Sequence, residues 1–441
     1  RQICLKTWGS RQKSRYHKIS LKMNYRKVSK GLFFILILAI CMQCSSPNRI
    51  SVYDISALYE TEDRFTSPEN RVFHLSDSLS TAIIGIDLVD LHYEKPAPEA
   101  NFSASYEISY RLQDSYESRV VTDSSSFIYV DSVNFGKDIR MIHSFDFPAI
   151  TGNTYVLEFR LKDLKRPGGV KDYIWVNKSV VMNQQGFLPI GQDRQPLFRD
   201  YLRRDEEIRL RSSDREASDI FVSCYYRDFP IASPPFVSEK DISFDYRYDS
   251  LFILPATVGE TGFFDLGREG FYHFQTDTNV KEGFTLYRFY EGFPEVVTAP
   301  DMIAPLRYIT TRKEFEDIIS KEDKKDALDD FWLNSAGNEL RAKNLIQRYY
   351  NNVVDANRFF TSYQEGWKTD RGLIYIIFGK PTKVYRGEGV EEWVYGEPEN
   401  RNSLRFTFVR VINPFSYNDY MLLRSPTYKE AWYVNVQSWR R

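Results

Sequence analysis

Residues 102–112 read FSASYEISYRL. Phe102, Ala104, Tyr106, Ile108, Tyr110 and Leu112 fall on one side of this stretch, with Ser103, Ser105, Glu107, Ser109 and Arg111 on the other. A strict period of two is the mark of a strand with one face buried. Outward from it the pattern recurs. Tyr155, Leu157, Phe159 and Leu161 alternate after a turn at Thr151-Gly152-Asn153, and Tyr173–Val176 follows a turn at Pro167-Gly168-Gly169. Short strands punctuated by turns predict an immunoglobulin-like β-sandwich over about residues 50–190. A second β-rich block is expected at 205–300, with strands at Asp219–Tyr226, Ile242–Tyr248 and Phe284–Tyr290. There Gly270–Phe274 echoes Gly152–Leu157 as a glycine turn leading into an aromatic strand, so two sandwiches of related build are expected.

Near residue 305 the period changes. Thr311 and Glu314 form a capping box ahead of Phe315, Ile318 and Ile319. Asp323–Leu333 is helical in spacing. From about Asn338 to Phe360 one stripe carries Ala342, Leu345, Ile346, Tyr349, Tyr350, Val353, Asn357 and Phe360, a long amphipathic helix. Strands are predicted at Leu373–Phe378, Glu392–Tyr395 and Leu404–Val411, and Ser425-Pro426 opens a final helix. The fold class is therefore β followed by α+β, with the α+β domain at 305–441.

The densest local signal in that domain is GWKTDRGLIYIIFGKPTKV, residues 366–384. It resembles the GWxTD-domain proteins, envelope lipoproteins of Bacteroidota named for those five letters. Phe331-Trp332, the run Arg348–Val353, Ala356–Phe360 and Glu392–Tyr395 match as well. The resemblance implies a compartment more than an activity. Gly379-Lys380-Pro381 followed by Trp393-Val394-Tyr395 is also similar in order to small lipoproteins of the SmpA/OmlA type, accessories of outer-membrane protein assembly.

Two readings of the motif follow. In the structural one, Gly366 ends the long helix in a left-handed conformation, Trp367 plugs the helix–sheet joint, Thr369 and Asp370 bond turn amides, and Gly372 permits a close approach. In the functional one, Trp367, Asp370 and Arg371, with Gly366, Thr369, Gly372 and Trp393 around them, form a partner-binding surface, since Trp and Arg dominate interface hot spots.

The first fifty residues predict an address. Residues 1–30 hold ten Lys or Arg and no acid, and Leu32–Met42 is an eleven-residue apolar run. That is a secretory signal, too short for a bilayer span of about 20 residues. Met23 is the natural start, so 1–22 is read as upstream over-translation and 23–43 as the signal. Cys44, followed by the polar tether SSPN (44–49 in all), resembles the lipidated cysteine of a bacterial lipoprotein. Cys41 is the alternative, and an ordinary signal peptide with incidental cysteines is the plainer one. Lipoproteins of the resembled phylum that reach the cell surface carry acidic residues just after the lipidated cysteine; the tether has none, so the resemblance implies the periplasmic face of the outer membrane. Asp77-Ser78-Leu79, Asp131-Ser132-Val133 and Asp249-Ser250-Leu251 resemble short O-glycosylation sites of that phylum.

Charge and chemistry narrow the function. The chain has 59 basic and 60 acidic residues, and loss of the ten basic residues of 1–30 leaves 49 against 60. An acidic body is unsuited to phosphate-backbone binding, so no nucleic-acid partner is expected. Beyond Cys44 the one remaining cysteine, Cys224, sits in apolar sequence and reads as core. His74, His92, His143 and His273 lie outside ligand spacing of one another and outside the C-terminal domain. No nucleophile elbow or phosphate loop is present. No metal, cofactor or catalytic set is expected. The leading expectation is a protein–protein interaction module of the envelope, anchored to the membrane by lipid and serving outer-membrane assembly or secretion. A glycan-binding lipoprotein is the alternative, favoured by the aromatic content. A hydrolase built on Asp370 with Glu391 or Glu392 is the third.

Overall fold

A computed structural model describes residues 50–59, 68–88, 91–95, 99–133, 140–238, 244–387 and 389–440. The expected signal, Cys41, Cys44 and the expected tether lie outside them. Among the described residues no helix is long and apolar enough to cross a membrane.

The strands, in chain order, are β1 Ile50–Asp54, β2 Glu69–His74, β3 Leu79–Asp87, β4 Phe102–Gln113, β5 Val121–Val133, β6 Arg140–Pro148, β7 Thr154–Asp163 and β8 Val170–Asn177. Of these, β2–β3–β6 and β5–β4–β7–β8 are two antiparallel sheets packed face to face. The alternation in β4 is realised: Ala104, Tyr106, Ile108, Tyr110 and Leu112 are all buried, against Ala82 and Ile84 of β3, Phe145 and Phe147 of β6, and Leu157 and Phe159 of β7. This is the first β-sandwich.

The second β region consists of β9 Phe187–Gly191, β10 Ile208–Ser212, β11 Asp219–Tyr225, β12 Ser250–Thr257, β13 Glu260–Thr261, β14 Gly270–Gln275 and β15 Phe284–Arg288. They form one seven-stranded sheet, ordered β15-β14-β11-β12-β13-β10-β9, around a core of Phe187, Ile208, Val222, Cys224, Phe274 and Phe284. The strand expected at Ile242–Tyr248 is not there. Residues 242–243 lie outside the described set, 244–248 are irregular, and pairing with β11 begins only at Ser250. Phe244 and Tyr246 turn instead into an aromatic cluster with Tyr225, Phe271 and Phe415.

The C-terminal domain carries α1 Arg312–Ser320, α2 Lys324–Ala336, α3 Glu339–Phe360, α4 Asp370–Phe378 and α5 Lys429–Ser438. Thr311 and Glu314 complete the capping box of α1, and Asn338 caps α3. The buried stripe of α3 runs Ala342, Leu345, Tyr349, Tyr350, Val353, Ala356, Asn357 and Phe360. The strands are β16 Lys383–Gly387, β17 Val390–Tyr395, β18 Leu404–Arg410 and β19 Tyr420–Leu422.

Two expectations are corrected here. Leu373–Phe378 is not a strand but most of helix α4, capped by the Thr369 hydroxyl, with every residue from Asp370 to Ile377 buried. A short apolar run buried on all sides has no periodicity to separate strand from helix, and the β-branched LIYIIF leans the wrong way. Residues 50–59, read as the start of the sandwich, belong to the other end of the chain. β1 pairs antiparallel with β16, so the C-terminal sheet is β1-β16-β17-β18-β19. Ile55 and Tyr59 are buried in the C-terminal core, and Lys383 Nζ meets Asp54 at 2.7 Å.

Candidate functional site

The motif packs where α3 hands over to α4. The chain leaves α3 at Phe360 and returns as a 3-10 turn, Gly366–Lys368, laid directly against the last turn of α3. A Cβ at Gly366 would stand 1.9 Å from the Ala356 carbonyl oxygen, and one at Gly372 would stand 1.9 Å from the Gly366 carbonyl oxygen. Both positions demand glycine through backbone contact. The expected left-handed helix end at Gly366 is therefore replaced: α3 stops at Thr361, and Gly366 does a different job.

Polar side chains lock this turn. Asn357 accepts from Trp367 N (3.1 Å) and donates to the Pro294 carbonyl (2.9 Å). Thr369 Oγ1 accepts from Gly372 N at 3.0 Å and donates to the Gly366 carbonyl at 2.8 Å. Trp367 is buried edge-on to Tyr308, whose hydroxyl donates to its carbonyl. Lys368 pairs with Asp228 (2.5 Å) and Glu365 (3.1 Å), while its carbonyl accepts from Ala232 N, tying the motif to the second β region.

Asp370 and Arg371 reach further. Asp370 accepts from Leu422 N (2.7 Å) and pairs with Arg424 (2.6 Å). The Arg371 side chain is 1% exposed, held between the rings of Phe360 and Tyr420, and it donates to the Asn418 carbonyl at 2.9 Å. Its other nitrogen lies 3.6 Å from Glu391, whose side chain is 0% exposed. Glu391 also receives Tyr59 OH (2.8 Å), Trp393 Nε1 (2.7 Å) and Arg386 (2.6 Å). Burial alone would raise this carboxyl, but Arg386 and Arg371, with the Trp393 and Tyr59 hydrogen bonds, hold it at about 2. Four separate segments of chain thus meet on one carboxylate.

Gly366, Trp367, Thr369, Asp370, Arg371, Gly372 and Trp393 are all buried, so they are not themselves a contact surface. The carboxylates named for hydrolysis are each held by a cation: buried Asp370 by Arg424, buried Glu391 by Arg386, and Glu392 by Arg405.

What the motif positions is the segment 411–424. Arg371 holds Asn418 and Asp370 holds Leu422 and Arg424. This segment then touches everything around it. Phe415 is buried among Tyr225, Phe271 and Tyr287 of the second β region. Tyr417 meets Trp175 edge-on at 4.9 Å and accepts from Asn177 of the sandwich at 2.9 Å. Arg410 lies over the Trp175 ring, 4.5 Å from its centre.

Between these parts is a cleft of about 1370 Å³. Tyr173 and Trp175 of β8, Tyr116, Arg386, Arg410 and Tyr417 are among its walls. Six acidic and six basic side chains line it. Sequence reasoning missed this cleft, the role of 411–424 and the Glu391 centre. One signal for the last was available: period two puts Glu391 on the same strand face as buried Trp393, and a carboxylate there requires a cation.

Under the cleft, burial pushes the Asp419 carboxyl up to about 6, against the opposing pull of Arg371 and a hydrogen bond from Tyr363. A carboxyl raised above its ordinary 3.8 binds more protons folded than unfolded between those values, so its contribution to stability falls as pH rises from about 4 through 6. Buried His74 and His273, lowered to about 4, give the opposite slope over the same range, so the measurement is the difference in urea midpoint between wild type and Asp419→Asn across pH 4–7, and the wild type's relative stability should fall as pH rises through 6. An unchanged profile in Asp419→Asn would mean that another group titrates.

Of the four histidines among the described residues, three hold structural side-chain contacts. His74 bonds Ser80 and the Asn177 carbonyl, His143 meets Tyr106, and His273 bonds Thr285 and the Lys281 carbonyl.

Residues 270–441 match the family model of the GWxTD domain. The match begins at the first residue of β14, so it takes in two strands of the second β region besides the α+β domain. No curated protein matches the chain. Among solved structures, the crystal structure of red sea bream transglutaminase is similar at 10% identity over 52% of this chain and 32% of its own. The chain spans about a third of that protein's length, and the TM-score of 0.18 is too low to mark a shared fold.

Proposed function

Because the chain carries a GWxTD domain over residues 270–441, we propose that it is a lipid-anchored, periplasm-facing envelope protein acting as a protein–protein interaction module. Its docking site is the three-sided cleft, and the observation that carries this reading is the cleft itself. At about 1370 Å³ it exceeds the 300–1,000 Å³ usual for small-molecule pockets. An extended polypeptide segment fills such a space. The even balance of acidic and basic lining suits a chain of mixed charge, and the half-buried Tyr173 and Trp175 supply aromatic anchors. In this reading the GWxTD motif is the frame that fixes segment 411–424, and binding is done by what that segment and β8 present.

The test is capture of an envelope protein by mild crosslinking in cells, comparing wild type with Trp175→Ala and with Ile150→Ala, an exposed residue outside the cleft. Loss of an aromatic hot spot costs about 2 kcal/mol or more, so capture should fall at least tenfold for Trp175→Ala and hold for Ile150→Ala. Equal capture by all three would sink the reading.

A second reading, glycan binding, is favoured by the half-buried rings of Tyr173 and Trp175 side by side on the wall of the same cleft. Calorimetric titration with envelope oligosaccharides, repeated on Trp175→Ala, separates it from the first.

A further inference from the structure

The position of β1 constrains how the molecule stands on a membrane. Ile50 is the first residue of β1 and sits opposite Gly387, the last of β16. Beside Gly387 come Gly389 and the start of β17, and beside these the end of β18, where Arg410 N donates to the Gly389 carbonyl. Val411 and Ile412 follow. One end of the C-terminal sheet therefore carries Ile50, Gly387, Gly389 and Ile412 together. Arg386, Gly387, Gly389, Arg410 and Ile412 also line the cleft. Ile412 is 87% exposed, more than any other large hydrophobic residue in the described set.

Only five residues separate Cys44 from Ile50. The six Cα-to-Cα steps between them span at most about 22 Å. Adjacent strands are about 4.8 Å apart, which puts the end of β18 on the order of 15 Å from β1. A lipid on Cys44 leaves the sheet end no room to stand far from the bilayer.

We propose that this end of the C-terminal sheet rests on the lipid surface, with Ile412 at the contact, so that the cleft opens beside the membrane and receives a segment of a membrane-embedded protein as it leaves the bilayer. The proposal rests on the anchored reading of Cys44 given above. A lone exposed aliphatic tip at the rim of the cleft costs little in water and gains by entering the headgroup region.

The experiment uses the full-length lipidated protein in vesicles of phosphatidylethanolamine and phosphatidylglycerol. Ile412→Cys and Arg401→Cys are each labelled with an environment-sensitive dye, and the vesicles contain brominated lipid as quencher. Arg401 lies before β18, at the opposite end of the sheet, roughly 25 Å from Ile412. Both positions are exposed, so labelling leaves the fold intact, and Cys224 is buried and unlabelled. The expected result is at least twofold stronger quenching, with a blue shift, at position 412. Equal quenching, or stronger quenching at 401, overturns the orientation. Flotation of wild type and of Cys44→Ser with the same vesicles reads the anchor separately. If wild type floats and Cys44→Ser does not, the anchored reading stands whichever dye is quenched. If wild type fails to float, the anchor and the orientation fall together.

Discussion

Arg371→Ala will destabilise the C-terminal domain by about 3–5 kcal/mol, the cost of stripping one partner from a buried ion pair. The magnitude follows from what is left behind. Glu391, with no exposed side-chain surface, keeps Arg386 but loses its second cation, and the Asn418 carbonyl loses its charged donor. The space between Phe360 and Tyr420 empties as well. Arg371→Lys should recover only part of the loss, because an ammonium cannot lie flat between two rings while reaching Asn418 and Glu391 at once. Urea denaturation followed by tryptophan fluorescence is the measurement. Five of the seven tryptophans lie between residues 332 and 439, so the signal reports this domain. A loss under about 1 kcal/mol for Arg371→Ala would show that the Glu391 centre is not what holds the domain. Because Arg371 also holds segment 411–424, milder variants should loosen that segment before they unfold the protein.

The second large effect is expected from Gly366→Ala. One added methyl group is usually a small change, and overpacking commonly costs about 1–3 kcal/mol. Here the new carbon would meet the Ala356 carbonyl oxygen at 1.9 Å and the Asn357 Cα at 2.8 Å, both backbone atoms of α3. No rotamer relieves the clash. The turn must lift off the helix, taking with it the Trp367–Asn357 hydrogen bond and the Thr369 cap. The loss should reach the top of that range or abolish folding of the domain. Gly262→Ala is the control, since nothing lies within 4 Å of its added carbon, and it should stay within about 0.5 kcal/mol of wild type. Similar stabilities for the two variants would mean that the close approach is not needed.

Much of the fold was legible because its elements bury one face and expose the other. The period-two run at 102–112, the stripe of α3 and the Thr311–Glu314 box each carry their own geometry in their spacing. Legibility failed where burial is complete or partners are remote. Helix α4 is buried from Asp370 to Ile377, so it shows no polar face to set a period. β1 is too short to declare its partner, which lies more than 330 residues away. The GWxTD motif was conspicuous in sequence and its residues proved to be interior, because their task is to hold other segments. The cleft was invisible: its walls come from β8, β16, the end of β18 and the segment beyond it, and no local pattern joins them.

β1 also dictates an order of events during synthesis. A chain made from its amino terminus releases Ile50–Tyr59 first, yet the sheet and the carboxylate that receive them are made from residues 383–422. The sandwich and the middle sheet can each close as they emerge, whereas the C-terminal sheet waits for the final hundred residues and then captures a strand that has been standing idle. Closing so long a loop is slow, and the uncovered edge of β16 is exposed to stray pairing in the meantime. A nascent chain stalled before residue 380 would therefore have two finished β regions and one stranded ribbon, and it should be the form that proteases and chaperones find first.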